Sequence, residues 1–409
     1  MHVLYYESRR PGRRSGGGNA PARPGAADRT QAGIMDRSRY LALLGDLVGF
    51  NTVSSALREA DQPNAELIEY ARCELEACGF EVEIHELTPH KRNLYAVRGG
   101  GPGGLLLSGH SDTVPCRPGD WASDPFELSV RDGLAYGLGA CDMKGFLALM
   151  LYLARELRSR APSRRLGLLI TADEESSMDG ARAFAAHCPD RYDLIVVGEP
   201  TQLQPLVAHK GYICREFTFT GTSCHSSDPS RGLNAIDIAY EAIGALREMR
   251  MHLQEHGDAR FSVPYPTLNL GAIHGGDCAN RLCDEVRLLF DVRPLGDMTA
   301  PRINAMLAEL TCSLEHRYPG RIALREVYAD IDSFSNDDAA LVGRLEELLE
   351  CQGICESYCT EAGFLQRLGG VVVYGPGSIR HAHMADERLD LQEAELAYGR
   401  LLRLVGTFA

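Results

Sequence analysis

The sequence has no apolar run close to the roughly 20 residues that a membrane-spanning helix requires, and it is poor in positive charge. Lysine and arginine total 42 residues against 56 aspartates and glutamates, which gives a formal net charge of −14. This acidic balance argues against a nucleic-acid or anionic-membrane partner. No apolar segment follows the arginines at positions 9–14, so we expect no secretory signal.

Paired Cys-x-x-Cys motifs are absent, although the chain has thirteen cysteines. Without such pairs, a structural zinc finger is not expected. In a long chain without a signal segment, thirteen cysteines indicate free thiols in a reducing compartment. We therefore expect a cytoplasmic protein.

The sequence pattern predicts a tail and two domains, one of which is inserted into the other. Residues 1–34 are rich in Arg, Gly, Pro, Ala and Ser and lack apolar periodicity, which predicts a disordered tail. In residues 35–206, apolar strands alternate with helices, so we expect an α/β catalytic domain with a mostly parallel sheet. In residues 207–329 the order becomes β-α-β-β-α-β, which is typical of a ferredoxin-like α+β domain. The βα pattern resumes in residues 330–409, so the ferredoxin-like domain is predicted to be an insertion.

Polar side chains follow several predicted strands of the first domain. His110 and Asp112 end the strand that begins at Leu105, and residues two apart in an extended segment project to the same side. His110 could therefore bind a metal while Asp112 accepts a hydrogen bond from the other imidazole nitrogen. Further such residues follow other strands: Asp142, Glu174, Glu175, Glu199 and His383, with His381 as an alternative to His383.

Five carboxylates and two imidazoles at one sheet edge would repel one another without cations, and the carboxyl pKa values would rise. Divalent metal resolves this conflict, and mixed nitrogen and oxygen ligands suit zinc, cobalt or manganese. A two-metal site is satisfied if Asp142 is the bridge, with His110 and Glu199 on one metal and Glu175 and His383 on the other. Glu174 is then free to act as a general base.

Several longer motifs resemble the M20 family of co-catalytic metallopeptidases and deacylases, and among them most closely the acetylornithine deacetylase group. The motifs are Ser108–Pro115, Gly139–Gly145, Thr171–Glu175, Gly198–Pro205, His225–Pro229, Cys359–Ala362 and Ala382–Glu387. The resemblance implies the metal and base roles given above, selects His383 over His381, and implies a cis Asp142–Met143 peptide. It also implies two divalent ions, with zinc first and cobalt as the alternative.

The resemblance implies further roles outside the metal ligands. His225 would stabilise the oxyanion, and Asn280 and Arg293 would hold the substrate carboxylate. Thr360 and Glu361 would contact the substrate, with Glu361 facing the cationic amine of ornithine. The resemblance implies removal of the acetyl group from N2-acetyl-L-ornithine, which gives L-ornithine and acetate. It also implies a homodimer whose inserted domain pairs across a two-fold axis.

Two alternatives remain open. Within the enzyme class, the chain could be a succinyl-diaminopimelate desuccinylase or a broad aminoacylase. From another class, it could be a metal-holding binding protein that has lost catalysis, although the presence of Glu174 argues against that.

Overall fold

The computed structural model describes residues 34–55, 57 and 59–409, so almost all of the predicted disordered tail lies outside the described residues. The helices of the described residues are α1 (Arg37–Gly49), α2 (Ala65–Ala77), α3 (Lys144–Glu156), α4 (Asp179–His187), α5 (Ala235–Leu253), α6 (Ala300–Arg317), α7 (Ala339–Leu349), α8 (Ala362–Leu365) and α9 (Leu391–Phe408). None of these helices is both long enough and apolar enough to span a bilayer.

The strands are β1 (Glu81–Glu86), β2 (Arg92–Arg98), β3 (Leu105–His110), β4 (Ser129–Arg131), β5 (Leu134–Tyr136), β6 (Leu166–Thr171), β7 (Tyr192–Val197), β8 (Leu206–His209), β9 (Ile213–Thr220), β10 (Thr267–Gly275), β11 (Glu285–Arg293), β12 (Ile322–Glu326), β13 (Phe334–Ser335), β14 (Ile354–Glu356), β15 (Gly369–Val373) and β16 (Arg388–Asp390). The largest sheet follows the order β1-β2-β6-β3-β7-β15-β8-β13, and β14 also pairs with β8.

The centre of this sheet is parallel, as the alternating pattern predicts. Strand β3 pairs in parallel with both β6 and β7, and β7 pairs in parallel with β15. Every residue of β3 and β6 is buried, because helices cover both faces of the sheet. Helix α3 packs on one face, and α4 and α8 pack on the other. The carboxyl ends of these strands consequently meet at one edge, where ligands bind in open α/β sheets.

A separate antiparallel sheet, β10-β11-β9-β12, forms with α5 and α6 a second lobe with its own hydrophobic core. Phe217, Phe219 and Phe290 stack within that core, with ring centroids 5.3 and 5.6 Å apart. The β-α-β-β-α-β order predicted for a ferredoxin-like domain is observed. Two segments connect the lobes: β8 leads into β9 through residues 210–212, and the chain returns from β12 to β13.

A third sheet, β16-β5-β4, is small and does not follow from the sequence pattern. It pairs Arg388–Asp390 with Leu134–Tyr136, two segments about 250 positions apart in the chain. Short strands with few alternating residues carry little periodic signal, so only the long-range pairing defines them.

Candidate active site

The sequence-predicted metal ligands meet at the carboxyl edge of the large sheet. His110 ends β3, the Glu174–Glu175 pair follows β6, and Glu199 follows β7. Asp142 lies just before α3, and His383 lies in the segment between β15 and β16. Of these residues, His110 is fully buried while the side chain of His383 is about half exposed.

Asp142 lies between the two histidines. Its Oδ1 is 3.1 Å from Nε2 of His110, and its Oδ2 is 3.4 Å from Nε2 of His383. A carboxylate whose two oxygens face two imidazoles has the geometry that a bridging ligand requires. The Asp142–Met143 peptide is cis, which confirms the expectation from the resemblance.

The remaining acids divide between the two histidines. Oε1 of Glu175 is 2.9 Å from Nε2 of His383, whereas Oε1 of Glu199 is 3.9 Å from Nε2 of His110. These distances are compatible with the predicted assignment of Glu175 and His383 to one metal and of His110 and Glu199 to the other, which stays a prediction. His110, Asp142 and Glu175 lie close enough to share one ion, as do His110, Glu174 and Glu199.

The electrostatics of this cluster are those of a cation-binding site. Burial raises the pKa of the Glu199 carboxyl well above its usual value, and the charges of Asp142 and Glu174 raise it further. Hydrogen bonds to Asp142 and Glu175 raise the pKa of His383 to about 10. Oε1 of Glu199 is buried without a hydrogen-bond partner among the described residues. These groups would release their protons when divalent cations bind, so this donor set fits the two ions that the resemblance implies.

Glu174 lies beside the metal ligands and also lines a cleft of about 440 Å³ between the lobes. Burial raises the pKa of its carboxyl well above the usual range, and the negative charges of Glu175 and Glu361 add to that effect. Its position beside the metal ligands and at the cleft suits a group that must accept a proton and later release it. The geometry is compatible with the predicted base role.

The expected contact of Asp112 is different in the structure. Nδ1 of His110 lies 3.0 Å from the backbone oxygen of Asp112, while the nearest carboxylate oxygen is 3.7 Å away. The carboxylate instead accepts hydrogen bonds from the backbone N–H groups of Glu174 and Glu175, at 3.2 and 3.0 Å. The predicted bond from His110 to the Asp112 carboxylate is therefore wrong, because the turn after β6 packs against that carboxylate and supplies its donors. Asp112 therefore orients both the imidazole and the acidic turn.

Arg293 is the predicted carboxylate-binding residue that reaches the cleft. Its guanidinium lies 4.3 Å from the ring centroid of Tyr212, and its Nε donates to Asp291 at 3.3 Å. Both Arg293 and Tyr212 line the same cleft as Glu174. A cation therefore faces the base across the gap between the lobes.

His225 and Asn280 lie elsewhere, on the second lobe. Both are exposed, and neither is among the residues that line the cleft. They are adjacent to each other, since Ser226 N–H donates to the backbone oxygen of Asn280 at 3.0 Å. Within one chain the structure thus does not bring His225 to Glu174.

Thr360 and Glu361 are buried behind the metal ligands. Oγ1 of Thr360 lies 3.1 Å from Nε2 of His209, which is also buried. Burial raises the pKa of Glu361 to about 7. Glu361 has no exposed surface and is not among the residues that line the cleft, so the expected direct contact of Thr360 and Glu361 with the substrate is not formed in this structure.

Two supporting groups escaped the sequence analysis. Buried Lys91 lies 2.8 Å from Asp61 and 3.0 Å from Asp173, the residue before Glu174. Buried Glu387 accepts hydrogen bonds from the backbone around Asp142. Glu387 belongs to the quoted Ala382–Glu387 motif, which is the one signal that could have pointed to it.

A family model described as peptidase family M20/M25/M40 matches residues 106–406. The chain belongs to this family. The M20 chain is 43% identical over 356 residues to an acetylornithine deacetylase of Photorhabdus laumondii, covering 86% of this chain and 92% of that protein. It is 44% identical over 356 residues to one of Klebsiella pneumoniae, covering 86% and 93%.

Solved structures share the fold of the M20 chain. A tripeptidase from Staphylococcus aureus superposes with a TM-score of 0.70 at 21% identity, covering 92% of this chain and 99% of that one. A dinuclear metal-binding peptidase of the M20 family from Bacillus subtilis gives 0.62 at 16% identity, covering 91% and 98%. These structures show the fold, a mixed α/β lobe with a separate antiparallel lobe. The family and the two deacetylase relatives show that the M20 chain is a metal-dependent amidohydrolase.

Proposed function

We propose that the M20 chain removes the acetyl group from N2-acetyl-L-ornithine and releases L-ornithine and acetate, a step of arginine biosynthesis. The observation that carries this proposal is the 43–44% identity to two acetylornithine deacetylases over 92–93% of their lengths. The carboxylates and histidines around Asp142, called the acidic cluster below, supply the metal ligands that such a hydrolysis needs. Glu174, which lines the cleft beside them, supplies the base.

We further propose two divalent ions, zinc first and cobalt as the alternative, on His110, Asp142, Glu175, Glu199 and His383. The ions would polarise the amide carbonyl and make an attacking water more acidic. The distances around Asp142 support one ion on each side of its carboxylate.

Glu174 would take a proton from the attacking water and deliver it to the leaving amine nitrogen. Asp112 would keep the Glu174–Glu175 turn in place through its two backbone hydrogen bonds. Arg293 would bind the α-carboxylate of the substrate, because it is the predicted cation that lines the cleft. Glu361 would favour a positively charged substrate side chain, and Thr360 would set the position of Glu361.

The oxyanion would be stabilised by His225 from a second subunit, and Asn280 beside it would contact the substrate carboxylate. This proposal makes residues 207–329 a dimerisation domain inserted between residues 35–206 and 330–409. It is supported by the exposed position of His225 and by an apolar surface on α5 and β10. In that surface Ile236, Tyr240 and Ile273 are 49%, 77% and 54% exposed.

The thirteen cysteines, all free, favour the cytoplasm as the compartment.

The test is a substrate panel on zinc-loaded enzyme, with release of the free amine as the measurement. We expect the highest kcat/KM on N2-acetyl-L-ornithine. Higher kcat/KM on N-succinyl-diaminopimelate would identify a desuccinylase, and equal values across N-acetyl amino acids would identify a broad aminoacylase. No hydrolysis of any amide by fully loaded enzyme would identify a binding protein.

A further inference from the structure

Glu387 is a buried carboxylate, 2% exposed, and it is not among the residues that line the cleft. Its Oε2 accepts a hydrogen bond from Gly139 N–H at 2.9 Å. Its Oε1 accepts from the N–H groups of Cys141 and Asp142, at 2.8 and 2.9 Å. Three main-chain donors of one loop thus converge on a single side chain.

The loop that donates these bonds carries Asp142, while Glu387 follows His383 by four residues. The backbone also joins the two segments, since Gly137 N–H donates to the Glu387 backbone oxygen at 3.2 Å. Directly beyond Glu387, β16 pairs with β5, the strand that precedes the Asp142 loop. Glu387 is therefore a buried side-chain connection between the segments that carry Asp142 and His383, in addition to the bond from Cys141 Sγ to the Ser378 backbone oxygen at 3.4 Å.

We propose that Glu387 is a positioning residue, which sets the spacing between the Asp142 carboxylate and the His383 imidazole and thereby the affinity for the metal ions. The proposal rests on the metal roles proposed above for Asp142 and His383. An ionised carboxylate presents only acceptors, and here both oxygens of Glu387 accept bonds from N–H donors. Removal of a hydrogen-bond partner that positions a metal ligand commonly reduces metal affinity by about 10–100-fold.

The variant E387Q keeps the shape of the side chain but replaces one oxygen by an NH2 group. That group would face either Gly139 N–H or the N–H groups of Cys141 and Asp142, so two donors would oppose each other in a buried place. The variant E387D keeps the charge but withdraws it by one methylene. Both changes should displace the Asp142 loop from the His383 segment.

The experiment measures zinc dissociation constants by competition with a chromophoric chelator, together with the visible spectrum of the cobalt-loaded enzyme. The matched control is D338N, because Asp338 also accepts two backbone N–H bonds, from Ala340 and Leu341 at the start of α7, away from the acidic cluster. We expect E387Q to bind at least one zinc ion about 10–100-fold more weakly, E387D to show a smaller loss, and D338N to match the wild type. Excess zinc should restore activity to E387Q.

Zinc affinities within twofold of the wild type, together with an unchanged cobalt spectrum in folded E387Q or E387D, would overturn the proposal. If E387Q does not fold, E387D decides by the same two measurements. A purely structural role would lower the melting temperature of the metal-free chain and leave both metal measurements unchanged, which also contradicts the proposal. Failure of the wild type to hydrolyse N2-acetyl-L-ornithine would reject the proposed substrate but leave these metal measurements valid.

Discussion

Nε2 of His110 lies 3.1 Å from Oδ1 of Asp142, so the end of β3 and the loop before α3 meet at one carboxylate. The other oxygen of Asp142 faces His383, which arrives from the C-terminal part of the chain. Burial opposes ionisation of Asp142, but hydrogen bonds to the two histidines outweigh it and lower the pKa of the carboxyl. A carboxylate that stays ionised between two imidazoles is suited to bridge two cations.

Replacement of Glu174 by glutamine tests the base. Glutamine keeps the shape but cannot accept a proton, so kcat should fall on the order of 10²–10⁴-fold. Metal content should stay at the wild-type value, because Glu174 is not assigned to either ion. Activity on N2-acetyl-L-ornithine and metal analysis of the same sample are the measurements.

The matched control for that variant is E83Q, since Glu83 is an exposed glutamate of β1, and it should behave as the wild type. If E174Q loses metal in parallel with activity, Glu174 is a ligand and the role assigned to it is wrong.

Much of this site could be predicted because apolar strands deliver their polar ends to one edge. The run Leu105–Leu107 marks β3, and that strand fixes where His110 lies. The same logic places Glu199 after β7. Parallel pairing then brings these ends together without any further information from the sequence.

Contacts between distant segments could not be predicted in the same way. The carboxylate of Asp112 bonds to a turn 62 positions later, and Glu387 bonds to a loop about 245 positions earlier. The partner of such a buried acid depends on which loops pack together. Local periodicity does not predict that packing, so the sequence alone assigned no role to the side chains of Lys91 and Glu387.

Buried His209 should make stability depend on pH. Burial lowers its pKa from 6.5 to about 4, so the folded chain holds it neutral while the unfolded chain protonates it below pH 6.5. The contribution of neutral His209 to the free energy of unfolding is fully present above pH 6.5 and is lost as the pH falls toward 4. This pKa shift corresponds to about 3 kcal/mol in the free energy of unfolding.

The measurement is urea unfolding of metal-free wild type and H209N at pH 7.5 and 5. The wild type should lose more free energy of unfolding between these pH values than H209N does. The control H274Q, which changes an exposed histidine, should retain the wild-type loss. Equal losses in the wild type and H209N would mean that His209 is not held neutral.

Substitution of Glu361 by glutamine tests substrate selection. Because burial raises the pKa of Glu361 to about 7, the two substrates are compared at a pH above that value, where Glu361 is ionised. A buried negative charge attracts a cationic side chain more strongly than an exposed one does, because the surroundings screen it less. For E361Q we expect kcat/KM on N2-acetyl-L-ornithine to fall roughly tenfold more than on N-acetyl-L-methionine, a difference of about 1.4 kcal/mol. Exposed Glu356 supplies the control, E356Q. Equal losses on the two substrates would show that Glu361 supports only the fold.

Mixing two inactive variants tests the origin of His225. H225A and E174A are each expected to be inactive, but a heterodimer has one site in which both groups are intact if His225 acts on the partner's site. With random subunit exchange, about a quarter of all sites should regain activity, because half of the dimers are mixed.

Subunit exchange is confirmed separately with differently tagged chains. If exchange is complete and no activity returns, His225 acts within its own chain or has no role. A chain that remains monomeric at micromolar concentration would remove the proposed dimer as well.

The most direct test of the account removes all metal with a chelator and then titrates zinc or cobalt back, with hydrolysis of N2-acetyl-L-ornithine measured at each step. We predict no activity in the metal-free chain, binding of two ions per chain, and recovery of activity with either metal. D142N should fail to hold the second ion, because Asp142 is the group between the two histidines. Full activity without metal, or full activity with two ions bound to D142N, would contradict the account.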